Sequence, residues 1–364
     1  MIILLAFAGV SMLLASVALN KNRRIFEAST NYSGITILFA VIPTLAVGLY
    51  LVGLRPLNAG GDTYYYLRAF SYIHNPFSAQ LDANYGSELL FWPTQAVLKY
   101  FVSDRGWLVL NSMIVATLSF FAYRRLLRNY SITPLIFSFI FLTYFCVYAG
   151  NAMRQIYAVP LIVIALSFLY DKDLKRYMLF TLLAVGYHWS AVILLAAPFF
   201  YLIPNERKYY ICVPVVSVCL SQLLQPTIYY INSLFGFSWL AFKSDLYIYG
   251  ARESHIDQVW YTLNFWLCVS VFILCVALGF HKQMPRVSKI ILFFFSLILF
   301  SINSADVSER YMVLILFLLP VLIAYIIKGL RFSAITQSFI YVATFVFMSF
   351  LVFTRPSAII TLGL

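Results

Sequence analysis

The sequence predicts an all-α, polytopic integral membrane protein, one transmembrane domain over residues 1–364 with about 11–12 helices of the ~20 residues that cross a bilayer. Three observations carry this. The 364 residues are 63% hydrophobic and 10% charged, against about 25% charged in a soluble domain, and mean hydropathy is +0.88. The apolar residues recur in runs near spanning length, which excludes a globular enzyme on one anchor. Lys and Arg gather in short loops between those runs, so the formal charge of +12 reports orientation through the positive-inside rule and not a nucleic-acid partner.

In chain order, spans are predicted near 2–19, 35–54, 106–123, 133–150, 153–170, 209–224, 260–279, 289–302, 311–327 and 334–353. The first run lacks a basic n-region, and Lys21, Arg23 and Arg24 follow it, so it reads as a span with an outer amino end rather than a signal peptide. The further clusters Arg124/Arg125/Arg128, Lys172/Lys175/Arg176, Arg207/Lys208, Lys282/Arg286/Lys289 and Lys328/Arg331 are assigned to the cytoplasm with it. With Glu27, Asp171, Asp173 and Glu206 as their accompanying acids, these clusters hold the whole excess of +12. The outer face is then neutral but rich in both signs.

Two consecutive clusters flank residues 177–203, so that stretch must enter and leave on the same face. It is predicted as a broken helical hairpin, about 177–187 and 189–203, with Gly186, Tyr187 and His188 at the break. A break at membrane depth is tolerated only where protein or a wet cavity satisfies the backbone, and a cavity holding His188 is expected.

Two outer segments are long, 55–105 and 225–259. In the first, ELLFWPTQAVLKYF is too short to span and reads as a re-entrant or interfacial helix, and Trp92, Tyr100 and Trp107 suit the aromatic belt. The second mixes aromatic rings with charges. The five cysteines (Cys146, Cys212, Cys219, Cys268, Cys275) lie in apolar runs and read as buried packing residues. No CxxC pair, HxxxH or HExxH is present, so neither metal nor other cofactor is expected.

Arg55, Asp62, Tyr66 and Arg68 fall at the outer end of the second span, where Gly60-Gly61 lets the chain turn. Asp62 is either a helix N-cap or part of a sugar and phosphate surface. Glu88 is either a charge on a helix dipole or a site residue. Arg154 and Gln155 stand between adjacent spans, where an ionisable group is by default functional, snorkelling to head groups being the alternative. The planar arginine fork suits a lipid diphosphate. His188 is a packing histidine or a reactive one. Arg310 and Tyr311 share a further outer loop, in which Arg310 either pairs Asp306 at i, i+4 or, with Arg55, Arg68, Arg154 and Arg252, converges on an anion.

The order Arg55-x(6)-Asp62-x(3)-Tyr66, Glu88, then Arg154-Gln155-x(2)-Ala158, His188-x-Ser190-Ala191 and a late Arg310-Tyr311 resembles the EpsG family. These are bacterial polytopic proteins grouped with the Wzy-type O-antigen and exopolysaccharide polymerases, and the resemblance covers roughly residues 20–315. It implies a GT-C-like glycosyltransferase in the bacterial inner membrane with its site facing the periplasm. Its substrates would be undecaprenyl-diphosphate-linked oligosaccharides held in membrane lipid, and a chain-length-determining co-polymerase would be a partner. His188, Asp62 and Glu88 are then the catalytic candidates. Arg55, Tyr66, Arg68, Arg154, Gln155, Arg252, Arg310 and Tyr311 are the substrate-binding ones.

Glycosyl transfer from a diphosphate puts positive charge on the anomeric carbon and negative charge on the leaving group, so it needs cations and a base. The arginines supply the first, and His188, Asp62 or Glu88 the second. An O-antigen ligase uses the same donor with a different acceptor and stays open as an alternative. A lipid-linked oligosaccharide flippase is the other, although repeated halves with polar residues along a path would be its signature. The topology is checked by thiol labelling of Ser78→Cys and Lys208→Cys in intact spheroplasts: an impermeant reagent should reach position 78 and not 208, and the reverse would invert the assignment.

Overall fold

The computed structural model describes residues 49–60, 62–79, 88–127, 148, 152–236, 259–329 and scattered positions from 333 onward, and no strand occurs among them. The predicted span 2–19, most of 35–54, 133–150 and 334–353, and residues 237–258 of the second outer segment lie outside the described residues. Four described helices are long and apolar enough to cross a membrane, Asp104–Leu126, Met153–Tyr170, Arg207–Leu234 and Ala305–Ile327. The chain is thus an all-helical, polytopic membrane protein. It divides into two compact units, Met1–Leu195 with Ile327–Leu364, and Ala196–Ile326.

The first unit contains α1 (Thr63–Tyr72), α2 (Phe91–Lys99), α3 (Asp104–Leu126), α4 (Met153–Tyr170) and α5 (Leu174–Tyr187). Ser103 caps α3 by accepting from the Gly106 amide, and Arg124 and Arg125 close it where the helix dipole favours cations. Asp173 caps α5 through the Arg176 amide at 3.1 Å. Lys99, the last residue of α2, donates to the carbonyls of Phe70, Ser71 and Ile73 at 2.9, 2.7 and 2.8 Å. Those oxygens belong to the end of α1, which has no intrahelical donors for them, so one ammonium ties α1 to α2. The predicted short helix of the first outer segment is α2.

Helix direction follows from two contacts. Near their starts, the Tyr157 hydroxyl of α4 donates to Asn111 Oδ1 of α3 at 2.5 Å, and at their ends Arg125 pairs with Asp171. Both pairs are 46 residues apart in sequence. Equal separation at both ends makes α3 and α4 parallel, which is what the predicted crossing at 133–150 would require of the intervening chain. Helix α5 returns antiparallel to α4, since Phe168 stacks on Phe180 and Tyr157 stacks on Tyr187. One end of this three-helix group therefore gathers Trp107, Asn111, Arg154, Tyr157 and Tyr187. The other gathers Arg124, Arg125, Asp171, Lys172 and Arg176.

The predicted break is present. Helix α5 stops at Tyr187, His188 is extended (φ −158°, ψ 123°), and Trp189–Ala196 continues as a 3-10 helix. The Tyr177 hydroxyl donates to the Leu194 carbonyl. In a straight helix those residues would stand about 25 Å apart at 1.5 Å per residue, so the chain folds back on itself. Protein serves the backbone at the break: the Leu90 amide donates to the Gly186 carbonyl at 2.8 Å, an oxygen freed by the helix end.

In the second unit α6 (Ala197–Leu202), α7 (Arg207–Cys219), α8 (Leu224–Phe235), α9 (Leu263–Ala277), α10 (Phe280–Gln283), α11 (Pro285–Phe300) and α12 (Ala305–Gly329) follow in order. Helix α11 is buried along most of its length, with α6, α7, α9 and α10 against it. Phe272 stacks on Phe295 with centroids 4.0 Å apart, and Tyr210 hydrogen-bonds Ser288 at 2.7 Å. Lys289 is buried with its ammonium on the carbonyls of Phe200 and Ile203.

Residues 225–235 of the segment 225–259 are helical: α8 runs on from α7 through a 3-10 turn at Leu220–Leu223, and Gly236, left-handed at φ 60°, ends it. One expectation is corrected here. Cys212 and Cys219 are exposed rather than buried. They share α7 with exposed Ile211, Val215 and Val216, a surface for which lipid is the solvent. Cys268 and Cys275 are buried as expected, and Cys146 lies outside the described residues.

At Gly186 a Cβ would stand 2.5 and 2.6 Å from Cδ1 and Cγ of Leu90, so glycine is what allows the two backbones to meet. Alanine for glycine within a helix ordinarily stabilises by roughly 0.5–1 kcal/mol. Gly186→Ala should have the opposite sign, destabilising by about 1–3 kcal/mol through overpacking. Thermal unfolding in detergent measures it, and an unchanged or higher midpoint would show that Leu90 yields without cost.

Candidate functional site

Four side chains from four parts of the first unit meet at the end of the α3–α4–α5 group that lacks the basic clusters. Arg154 lies in the first turn of α4, Glu88 two residues before Leu90 at the start of α2, Tyr66 on the inward face of α1, and His188 at the break after α5. Arg154 Nη1 donates to Glu88 Oε1 and Oε2 at 2.8 and 2.7 Å, and its Nε donates to the Tyr66 hydroxyl at 3.0 Å. His188 Nδ1 stands 3.7 Å from Glu88 Oε1, an ion-pair distance beyond hydrogen-bond reach.

Each position has a local cause. A cation in the first turn of a helix opposes the dipole, and Glu88 supplies the compensating charge. Glu88 is 4% exposed, and a buried charge persists only when paired. Its neighbour Leu90 is pinned to Gly186, so the same backbone bond that shapes the break brings the carboxylate beside His188. Tyr66, at 2% exposure, rests against Phe91 and Trp92 at centroid distances of 5.8 and 6.1 Å, and its own ring lies 5.7 Å from the Arg154 guanidinium carbon.

Beneath this lies an aromatic and amide layer. Phe91 meets Tyr157 edge-on at 5.8 Å, and the Tyr187 hydroxyl is 3.0 Å from Thr94 Oγ1 of α2. Trp107 Nε1 donates to Gln95 Oε1 at 2.7 Å, and Asn111 Nδ2 donates to the Trp107 carbonyl at 2.8 Å. Burial alone would raise the carboxyl of Glu88, but His188 and the Arg154 guanidinium beside it outweigh burial and bring it down to about 2. Burial pushes the Tyr66 phenol upward, against the pull of Arg154. At neutral pH the site therefore presents a fixed cation, a carboxylate and a neutral phenol. That set can hold an anion and position an imidazole.

The other candidates are placed as follows. Asp62 occupies the N-cap position of α1 and is half-buried, yet its side chain makes no capping hydrogen bond. Its negative charge acts on Tyr66. Arg55 is buried and donates to the Val52 carbonyl and, at 3.1 Å, to Thr63 Oγ1, bracing the turn around Gly60, which is left-handed at φ 81°. Arg68, two residues from Tyr66, is exposed on the opposite side of α1. Gln155 is buried next to Arg154. Arg310 and Tyr311 lie in the first turns of α12, in the second unit, and Arg252 lies outside the described residues.

Sequence reasoning did not find Gln95, Asn111, Thr94 or Lys99, each of which fixes an element of the site. Uncharged amides and a threonine in an apolar run are the signal they leave. Among the described residues no group of three or more His, Cys, Asp or Glu is arranged to hold a metal ion.

The ion pair sets a pH dependence. Glu88 is lowered in the fold from its ordinary 4.5 to about 2, so its contribution to stability is complete above pH 4.5 and lost as pH falls from there toward 2. Unfolding midpoints in detergent from pH 6 to pH 3 should show wild type losing a component below about pH 4.5 that Glu88→Gln lacks. Parallel curves for the two proteins would mean that the carboxylate is not held by its neighbours.

No curated protein matches the chain, and no solved structure does. The family model described as the EpsG family matches residues 35–360, a range that takes in Arg55, Asp62, Tyr66, Glu88, Arg154, Gln155, His188 and Arg310. With nearly its whole length matched, the chain belongs to the EpsG family.

Proposed function

We propose that the protein polymerises undecaprenyl-diphosphate-linked oligosaccharide repeat units on the periplasmic face of the bacterial inner membrane. The observation that carries this reading is the Glu88–Arg154–His188–Tyr66 cluster at one end of the α3–α4–α5 group. The basic side chains at their other end support an outward-facing cluster through the positive-inside rule. Membership of the EpsG family supports polysaccharide polymerisation as the chemistry.

In this reading Arg154 binds the donor diphosphate, whose negative charge grows as transfer proceeds. The acceptor hydroxyl oxygen bonds to the anomeric carbon while the bond from that carbon to the diphosphate oxygen breaks. The electron pair of the broken bond leaves with the diphosphate. The acceptor proton passes to His188, a group suited to that task near neutral pH. Glu88, held ionised, acts on its two neighbours and is a poor proton carrier at pH 7. Asp62 and the exposed rings of Tyr64 and Tyr65 on α1 give a polar and aromatic face suited to sugars. A chain-length-determining co-polymerase would be the protein partner.

Purified protein incubated with one defined undecaprenyl-diphosphate repeat unit should yield a ladder of products. Arg154→Lys keeps the charge and loses the planar fork, and should slow ladder formation about tenfold or more, a loss of ~1.4 kcal/mol of transition-state stabilisation. A full ladder from folded Arg154→Lys would remove the fork from the mechanism. No ladder from wild type with authentic substrate would overturn the polymerase reading, and transfer to a lipid A core acceptor instead would identify a ligase.

A further inference from the structure

In the structure Glu88 stands between two partners at unequal distances. Both of its oxygens lie within 2.8 Å of Arg154 Nη1, while His188 Nδ1 is 3.7 Å from Oε1. Carboxylate and phosphate compete for guanidinium on the same terms, through charge-assisted hydrogen bonds of the same geometry. A diphosphate brings more negative charge and more acceptor oxygens than one carboxylate. Whatever anion Arg154 receives must therefore contend with Glu88.

We propose that Glu88 is an internal stand-in for the donor diphosphate: the diphosphate takes Arg154, and the displaced carboxylate moves onto His188 Nδ1 and orients the imidazole toward the acceptor. The proposal rests on the reading of this site as one for a glycosyl diphosphate. Geometry supports the exchange in three ways. The shift needed is small, roughly 1 Å to reach ordinary hydrogen-bond distance. Glu88 precedes α2 and lies outside any helix, so its side chain is not locked into a helical stack. The backbone bond from the Leu90 amide to the Gly186 carbonyl holds the carboxylate and the imidazole together while the partner changes.

The exchange gives the site an order of events. Before the donor arrives, Arg154 is neutralised by Glu88, as a largely buried cation requires, and the same carboxylate holds His188 only at the longer ion-pair distance of 3.7 Å. Once the diphosphate is seated, the base is aligned. An aligned base thus coincides with a bound donor, and Glu88 is a positioning residue that raises turnover at the expense of donor affinity.

The test uses the full-length protein in lipid nanodiscs and undecaprenyl diphosphate, without sugar, as the binding probe in calorimetric titration. Glu88→Gln keeps size and a hydrogen-bonding oxygen but removes the competing charge. It should bind the probe roughly tenfold tighter while ladder formation at saturating donor falls at least as much. On the Glu88→Gln background, His188→Gln should add little further loss, because the two act through one contact. Glu88→Asp is the second variant: its shorter arm weakens the hold on Arg154, so its probe affinity should lie between those of wild type and Glu88→Gln.

If the probe binds Glu88→Gln or Glu88→Asp no tighter than wild type, the exchange is overturned. Independent losses from the Glu88 and His188 substitutions would also overturn it. A wild-type ladder in the same preparation then leaves the polymerase reading standing, whereas absence of both ladder and probe binding removes both.

Discussion

The buried contact between Arg154 and Glu88 is the constraint on which the first unit depends. A guanidinium only 18% exposed, in the opening turn of a helix buried along nearly its whole length, has little water and an unfavourable dipole around it. The chain therefore has to bring a carboxylate to it from a separate segment. That requirement fixes the segment before α2, places Leu90 against Gly186, and sets Tyr66 of α1 across the arginine. Removal of the ion pair would leave α4 facing α2 through aromatic faces such as Phe91 on Tyr157, while Lys99 would still tie α2 to α1. Those faces are apolar and less directional than a carboxylate on a guanidinium.

Around that pair the structure is stiff for reasons unrelated to charge. Tyr157 stacks on Tyr187 and hydrogen-bonds Asn111, so α3, α4 and α5 share one junction a single helical turn below Arg154. Trp107 and Gln95 extend the junction to α2. Inside a membrane, where burial between helices brings no hydrophobic gain, packing and interhelical hydrogen bonds are what hold helices together. The polar members of this layer thus do structural work that leucine would do in a soluble core.

The spans were legible because apolar runs and basic loops are independent signals that agree. The break at His188 was legible from charge parity alone: two successive basic clusters on one side demand a stretch that returns, and Gly186 marked where. The pairing of Glu88 with Arg154 was not legible, since 66 residues separate them and no periodicity links a loop to a helix start. Arg55 illustrates a different limit, because an arginine that braces its own turn and one that binds an anion look alike in sequence. The helicity of residues 225–235 was not read from the sequence, where aromatic and polar residues mix with no boundary after position 224. The exposed cysteines of α7 mark another limit: hydrophobic means buried only when water is the alternative.

The bond between Leu90 and Gly186 sits two residues from Glu88 along one strand of chain and two residues from His188 along the other. It is a clasp with arms of equal length. Membrane helices tilt to match the thickness of the surrounding bilayer, and such tilts shift residues at helix ends by ångströms. A tilt of α5 carries the clasp with it, and both arms move together. The separation of carboxylate and imidazole is thereby insulated from the lipid, so a site of ångström tolerances can sit at the rim of helices embedded in a bilayer of varying thickness.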